Sequence, residues 1–277
     1  MTSAPVRLAV SNLAWAVADD HAVGALLLEH GATGVELAPS KVWPSAPLVP
    51  RVEASSYADL WRARGLEVVA FQAILYGHPE MSLFAEGDAL LATQDHLAAM
   101  GVLAAATGAR VLVLGAPGNR RRESRTFDIA IRQAADAMRP VAAMLAAHGV
   151  QLCIEPNPPR YGCDFVTTAA EATILAEAVD HPNFGIHLDA TALALSGETS
   201  PEALRPVMPY ARHFHISELD LAPVGTTATV PHAAIGKTLR DLGYNGWHSI
   251  EMRATEHDAW SVAIRNALVF ARRHYHD

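Results

Sequence analysis

Cysteine is scarce in this chain. There are two among 277 residues, Cys153 and Cys163, and no CxxC spacing. Two thiols cannot staple a domain of this size, so a disulfide scaffold is excluded and a reducing, cytoplasmic setting is expected. Positive charge is also short, with 21 Lys and Arg against 29 Asp and Glu and a net charge of −8. A binder of phosphate backbone is expected to carry the opposite sign, so nucleic acid is not an expected partner. No apolar run approaches the roughly 20 residues that span a bilayer, so no membrane partner is expected either. The opening RLAVSNLAWAVADD places Arg7 before an apolar stretch. Ser11 and Asn12 interrupt that stretch, and Asp19 and Asp20 stand where a cleavage region would lie, so it reads as a first strand and a functional turn instead of a signal sequence. There is no Gly-rich phosphate loop followed by Lys and Ser/Thr, no GxSxG and no HExxH. Charged residues make up only 18% against 51% hydrophobic ones, which excludes intrinsic disorder.

What is present is a rhythm. Short aliphatic runs begin near Leu8, Gly34, Glu67, Arg110, Gln151, Phe184, His213 and Trp247, and longer Ala/Leu-rich segments separate them. Each interval, about 34 residues on average, holds one strand, one helix and two loops. Eight such units argue for parallel strands joined by right-handed crossovers, hence an α/β fold of the (β/α)8 TIM barrel kind. No linker-like stretch divides the chain, so residues 1–277 are expected to form one domain. Gly108, Gly149 and Gly243 are expected to stop helices, and Pro140 to kink or break one.

Side chains alternate faces along a strand. In QLCIEP, FGIHLD, HFHIS and WHSIEM the aliphatic face suits surrounding helices, and the polar face must then point into the barrel. Glu155, Asp189 and Glu251 come at the C-terminal ends of their strands and His215 lies near the end of its own. In a barrel that end is the catalytic rim. Three carboxylates converging there repel one another and resist ionising. A divalent cation would hold all of them deprotonated. Three oxygen donors and one nitrogen donor suit Mn²⁺, Mg²⁺ or Co²⁺, with Zn²⁺ also open.

CIEPNP, GIHLDATAL, HFHISE and GYNGWHSIEMR resemble the fifth to eighth strands of the xylose-isomerase-like barrel superfamily, in particular its sugar isomerase/epimerase branch with the ketose 3-epimerases. The resemblance implies that Glu155, Asp189, His215 and Glu251 bind one divalent metal, Mn²⁺ first, and that Glu155 and Glu251 are the catalytic acid/base pair. The implied activity is a metal-dependent isomerase or epimerase of a ketose or related polyol, working by proton abstraction beside a carbonyl through a cis-enediolate. A lyase or dehydratase of the same superfamily, of the inosose dehydratase or keto-glycoside-eliminating type, shares that first step. A DNA-repair endonuclease of the superfamily fits less well, because it needs further His and Glu ligands. Self-association into a homo-oligomer is open, since no interface is visible in the sequence. Three positions depart from the epimerase pattern: Ala192 stands for a His, Tyr161 for a second Glu and Leu221 for an Arg.

Further candidates for sugar contact follow from position. Asn12 and Trp15 end the first strand, where the Trp stacks on a sugar or plugs the mouth. Glu36 and Lys41 form a rim pair for hydroxyls or a surface ion pair, and Gln72 ends the third strand. Asn157 is two residues past Glu155. His187 faces inward below Asp189, as a substrate contact, a group orienting a ligand or a satisfied interior histidine, and His213 lies a layer deeper. Glu218 begins a loop, ELDLAPVGTTATVP, that reads as a lid, and Arg253 follows Glu251 by two. Arg120 to Arg122 read as a solvated start to a helix, and inward-facing Cys153 as small-residue filling.

Overall fold

The computed structural model describes residues 7–253 and 260–276, so residues 1–6, 254–259 and 277 of the expected single domain lie outside the described residues. The eight strands are β1 (Leu8–Ser11), β2 (Gly34–Leu37), β3 (Glu67–Phe71), β4 (Val111–Leu114), β5 (Gln151–Ile154), β6 (Phe184–Asp189), β7 (Ala211–Ser217) and β8 (Trp247–Glu251). All pair in parallel, each with its neighbours in the chain, and β1 pairs β8 to close the barrel. The helices are α1 (Asp20–Glu29), α2 (Pro39–Val42), α3 (Arg51–Arg62), α4 (Gly87–Thr107), α5 (Phe127–Ala146), α6 (Ala169–Val179), α7 (Ala190–Ser196), α8 (Pro201–Leu204), α9 (His232–Asp241) and α10 (Trp260–Ala271). This is a (β/α)8 barrel. β4 starts one residue later than the sequence suggests, and β7 two residues earlier.

The alternation of faces explains the two apolar layers. Leu8, Val10, Leu152, Ile154, Ile186, Leu188, Phe214, Ile216 and Ile250 face outward and pack with the helices in the main core. Inside the barrel, Ala9, Val69, Val111, Val113 and Cys153 form a small second cluster. Cys153 is fully buried there, and burial pushes its thiol up to about 12, so it stays protonated and inert. The polar residues of the interior lie above this plug, nearer the C-terminal strand ends.

Gly108, Gly149 and Gly243 each adopt a positive φ just beyond a helix, as expected of helix stops. Two expectations need correction. Pro140 lies within a continuous α5 and does not break it. Its helix neighbours Met138, Val141, Ala142 and Leu145 are all buried, and that packing offsets one missing hydrogen bond. α4, 21 residues long, is apolar enough by length and mean hydropathy to cross a membrane, contrary to the expectation that no stretch qualifies. It carries Asp88 and Asp95, and as the crossover between β3 and β4 it buries Leu97, Met100, Leu103 and Ala104.

α4 and α5 touch at Gly101, where a Cβ would stand 1.9 Å from Cδ2 of the fully buried Leu145. Gly101→Ala is therefore expected to destabilise the fold by about 1–3 kcal/mol, the usual cost of overpacking. The denaturant midpoint reads this, and an unchanged midpoint would contradict so close a contact.

Candidate active site

Asp189 and Glu251 are the last residues of β6 and β8, and Glu155 directly follows β5. The register sets Asp189 beside His215 and Ser217 beside Glu251. Glu155, Asp189 and His215 each offer a ligand atom, and these atoms lie within 4.8 Å of one another. Glu251 Oε2 stands 3.3 Å from Nδ1 of His215. Asp189 is fixed by two donors, Ser217 Oγ at 2.5 Å and the Ala192 amide at 2.7 Å, the latter making it the N-cap of α7.

The electrostatics express crowding. Burial, Glu251 and Asp189 together push Glu155 up to about 8. Burial and Glu251 push Asp189 up to about 6. Below them Glu36 is wholly buried and accepts from Nε2 of both His215 (3.0 Å) and His213 (3.2 Å). Burial alone would raise Glu36, but the two imidazoles outweigh it and hold the carboxyl well below its ordinary range. For His215, burial works to lower the pKa, and Glu36 and Glu251 overcome it, so the ring is held well above its ordinary value.

Glu36, held ionised, can only accept, so the His215 nitrogen facing it carries a proton. That leaves Nδ1 of His215 for the mouth, where it is buried and faces Glu251 Oε2, and where it would give up its proton to take a cation. One imidazole nitrogen beside Glu155 and Asp189, with Glu251 opposite, fits a divalent cation by donor chemistry. Glu36 then stands behind His215 as the carboxylate that orients a ligating histidine. A second grouping, His187 with His213 and His215, also has ligand atoms within 4.8 Å. His187 is fully buried with neither ring nitrogen hydrogen-bonded, and its Nε2 is 3.9 Å from Glu155 Oε1. Burial, with His215 and His213 nearby, holds it well below its ordinary pKa, hence neutral.

Two lobes of cavity open at this mouth, about 410 and 400 Å³. Glu155 and Glu251 line both. The first lobe runs along Gln72 to Pro79, with Gly115, Ala116 and Asn119; the second takes in Asn157, Tyr161, Asp189, Thr191, Ala192, Glu218, Leu221 and Arg253. Of the remaining candidates, Gln72, Asn157, Glu218 and Arg253 thus reach the cavity walls. Gln72 donates to Ser11 Oγ at 2.5 Å, and Asn157 accepts from Arg120 at 2.7 Å.

Other expectations are corrected. Glu36 and Lys41 form no rim pair: Glu36 lies within β2, one residue short of its end, and pairs with His213 and His215, and Lys41 donates to the carbonyls of Asn12 and Trp15. Trp15 offers no face to a sugar; it is buried, donates to Asp20 at 2.7 Å and packs edge-on against Trp61. Asn12 is buried and accepts from the Ala38 amide at 2.8 Å. Glu218 is buried too, and ties its own loop down by accepting from the Gly225 amide (3.2 Å) and Thr227 Oγ1, with His232 3.3 Å away. Arg120 is not solvated. It is 1% exposed and donates to the Glu155 carbonyl (2.6 Å) and Asn157 Oδ1 (2.7 Å), bracing the loop after β5. Gly115 matters for a similar reason: a Cβ there would stand 2.3 Å from Glu155 Oε2. Neither residue carries a sequence motif; the glycines of the GAPGN turn after β4 are the one available hint.

The xylose isomerase-like TIM barrel family matches residues 25–273 of the chain. A D-psicose 3-epimerase of Ruminiclostridium cellulolyticum is 31% identical over 111 residues, which is 40% of this chain and 37% of that protein. Among solved structures, D-psicose 3-epimerase from Clostridium cellulolyticum, crystallised with D-tagatose, has a TM-score of 0.80 at 16% identity, covering 98% of this chain and 99% of that one. A 3-keto-D-glucoside 4-epimerase from E. coli has a TM-score of 0.75 at 18% identity, covering 97% and 99%. At these identities the structural likeness shows the fold.

Two outcomes follow for the site. A cation must displace protons from carboxyls pushed up to about 6 and about 8 and from His215, which Glu36 and Glu251 hold well above its ordinary value, so divalent-metal affinity is expected to rise with pH through about 8, with proton release in calorimetry. Both carboxyl pKa values are raised on folding. The stability they confer on the metal-free protein is therefore lost as pH rises through them, and its melting temperature should fall over that window while the metal-loaded protein's does not. Glu36→Gln is expected to weaken metal affinity about 10–100-fold, the usual effect of removing the partner of a ligating histidine; unaltered affinity in a metal titration would remove Glu36 from this role.

Proposed function

We propose that this chain, which belongs to the xylose isomerase-like TIM barrel family, is a metal-dependent sugar epimerase or isomerase that acts on a ketose or related polyol. The observation that carries the reading is that Glu155 and Glu251 both line both lobes of the mouth cavity, beside Asp189 and His215. The epimerase names of the relatives point the same way. Glu155, Asp189, His215 and Glu251 would hold one divalent ion, Mn²⁺ first, with Co²⁺, Mg²⁺ or Zn²⁺ as alternatives. When bound, the ion supplies Lewis-acid stabilisation of the negative charge that develops on the substrate carbonyl.

The chain's own residues then carry the protons. One glutamate removes the proton from the carbon next to the carbonyl, leaving an enediolate, and the other glutamate returns a proton to the same carbon from the other face, which inverts it. Return to the neighbouring carbon gives isomerisation. Asp189, locked by Ser217 and the Ala192 amide, stays in place as a fixed anion. Arg120 and the side-chain-free Gly115 keep the Glu155 carboxylate where it stands. The three positions that depart from the epimerase pattern, Tyr161, Ala192 and Leu221, all line the second lobe, so the substrate is expected to differ from a free ketohexose in what it presents there. An acidic mouth on a chain of net charge −8 also gives no field that would steer a nucleic-acid phosphate into the site.

Glu155→Gln and Glu251→Gln are each expected to abolish turnover and solvent-deuterium exchange into a ketose at the carbon beside the carbonyl. Either variant retaining wild-type activity at full metal occupancy would end the two-base scheme.

A further inference from the structure

Inside the barrel, below the carboxylates of the mouth, β6 and β7 bring three imidazoles together. The register sets His187 beside His213, just as it sets Asp189 beside His215 one layer up. The ring of His187 lies 4.0 Å from that of His215 and 5.3 Å from that of His213, centroid to centroid. All three side chains are at most 1% exposed. Ligand atoms from the three lie within 4.8 Å of one another.

His187 is the informative member. The mouth cluster does not use it, and the two-glutamate scheme gives it no task. A buried polar side chain normally spends its polar atoms on hydrogen bonds. Both ring nitrogens of His187 are buried, and neither has a partner. An apolar side chain would fill the same space without burying two polar atoms. Burial, with His215 and His213 nearby, keeps this imidazole neutral, the form in which it binds metal. Held by no hydrogen bond, the ring is free to turn. It can thus reach the donor spacing of about 3.3 Å that tetrahedral metal–nitrogen bonds of roughly 2.0–2.1 Å require. Glu36 supplies the charge. Its Oε2 accepts from His213 and His215, and its Oε1 is buried with no hydrogen-bond partner. A dication among these rings would therefore be paired with a buried anion.

We propose that His187, His213 and His215 form a second cation position, beneath the carboxylates and different in donor type, that takes a borderline ion such as Zn²⁺ or Cu²⁺. Imidazole suits those ions, whereas oxygen-rich sets suit Mn²⁺ and Mg²⁺. The two positions share His215. Because Nε2 of that ring donates to Glu36, His215 has a single nitrogen to give, and an ion among the imidazoles takes it from the mouth. The two positions are alternatives, and a borderline ion in the lower one leaves the carboxylates without their nitrogen partner.

The test uses no sugar, so its outcome is separate from that of the epimerase or isomerase reading. Metal-free protein is given less than one equivalent of Cu²⁺, and pulsed electron paramagnetic resonance counts the coordinated imidazoles. Three are expected, where the mouth cluster could supply only one. His187→Ala and the bulkier His187→Asn are each expected to lower the count. Each should also weaken Cu²⁺ and Zn²⁺ binding by more than the roughly tenfold that losing an outer partner of a ligand costs. Mn²⁺ binding, which relies on oxygen donors, should stay within about twofold. A wild-type count below three overturns the proposal. So does a count that neither variant alters, since other histidines of the chain then hold the ion adventitiously. Mn²⁺ affinity falling in step with that for Zn²⁺ overturns the distinction between the two positions. One Zn²⁺ and one Mn²⁺ held tightly by the same chain overturns the sharing of His215.

Discussion

Two imidazole nitrogens, Nε2 of His213 and Nε2 of His215, point at a single carboxylate oxygen of Glu36 in the closed interior of the barrel. All three side chains are essentially unexposed. A carboxylate so placed is tolerable only because it is paired, and each partner is tolerable only because Glu36 is ionised. The consequence reaches upward. With its lower nitrogen committed, His215 has one atom left for the mouth, and that atom faces Glu155, Asp189 and Glu251. The buried pair therefore fixes both the tautomer and the direction of the one nitrogen in a cluster otherwise made of oxygen.

The carboxylates above are crowded for the complementary reason. Glu155 and Asp189 are lifted in pKa by burial and by their acidic neighbours, and both are restrained by the protein around them. Asp189 is tied to α7 through the Ala192 amide, while Glu155 is held by the Arg120 guanidinium on its carbonyl and by the gap at Gly115. Like charges forced together in this way are pre-organised for a cation. The positions would relax apart if the loops after β4 and β5 were not braced against one another.

Much of this was legible in the sequence because a parallel strand gives its two faces different jobs. The aliphatic alternation in CIEP, IHLD, HISE and SIEM assigns Glu155, Asp189, His215 and Glu251 inward without any coordinates. Depth was not legible. Glu36 has the same apparent position at a strand end, but β2 runs on to Leu37, so Glu36 lies inside its strand where Asp189 and Glu251 end theirs. Arg120 was opaque for another reason. A run of three arginines reads as solvated surface, and only the fold reveals that the first of them turns inward under the Asn157 loop while Arg122 stays outside, bonded to Asp164. Trp15 spends its polar atom on the protein itself, and Glu218 reaches the cavity wall while holding its own loop.

The division of labour between mouth and walls bears on which reaction follows the first proton transfer. Inversion, isomerisation and elimination all begin by taking the proton beside a carbonyl, so the carboxylate cluster does not choose among them. The choice lies in which carbon or leaving group is set against the second glutamate. That is decided by how the substrate is held along its length, hence by the walls of the two lobes. Those walls come from the segments after β3, β4, β5, β6, β7 and β8, which lie outside the barrel hydrogen bonding and can change without disturbing Glu36, His213 or His215. Tyr161, Ala192 and Leu221 belong to these segments. A barrel built in this way can keep one proton-abstraction centre unaltered while its loops redefine which sugar is presented to it and what becomes of the enediolate.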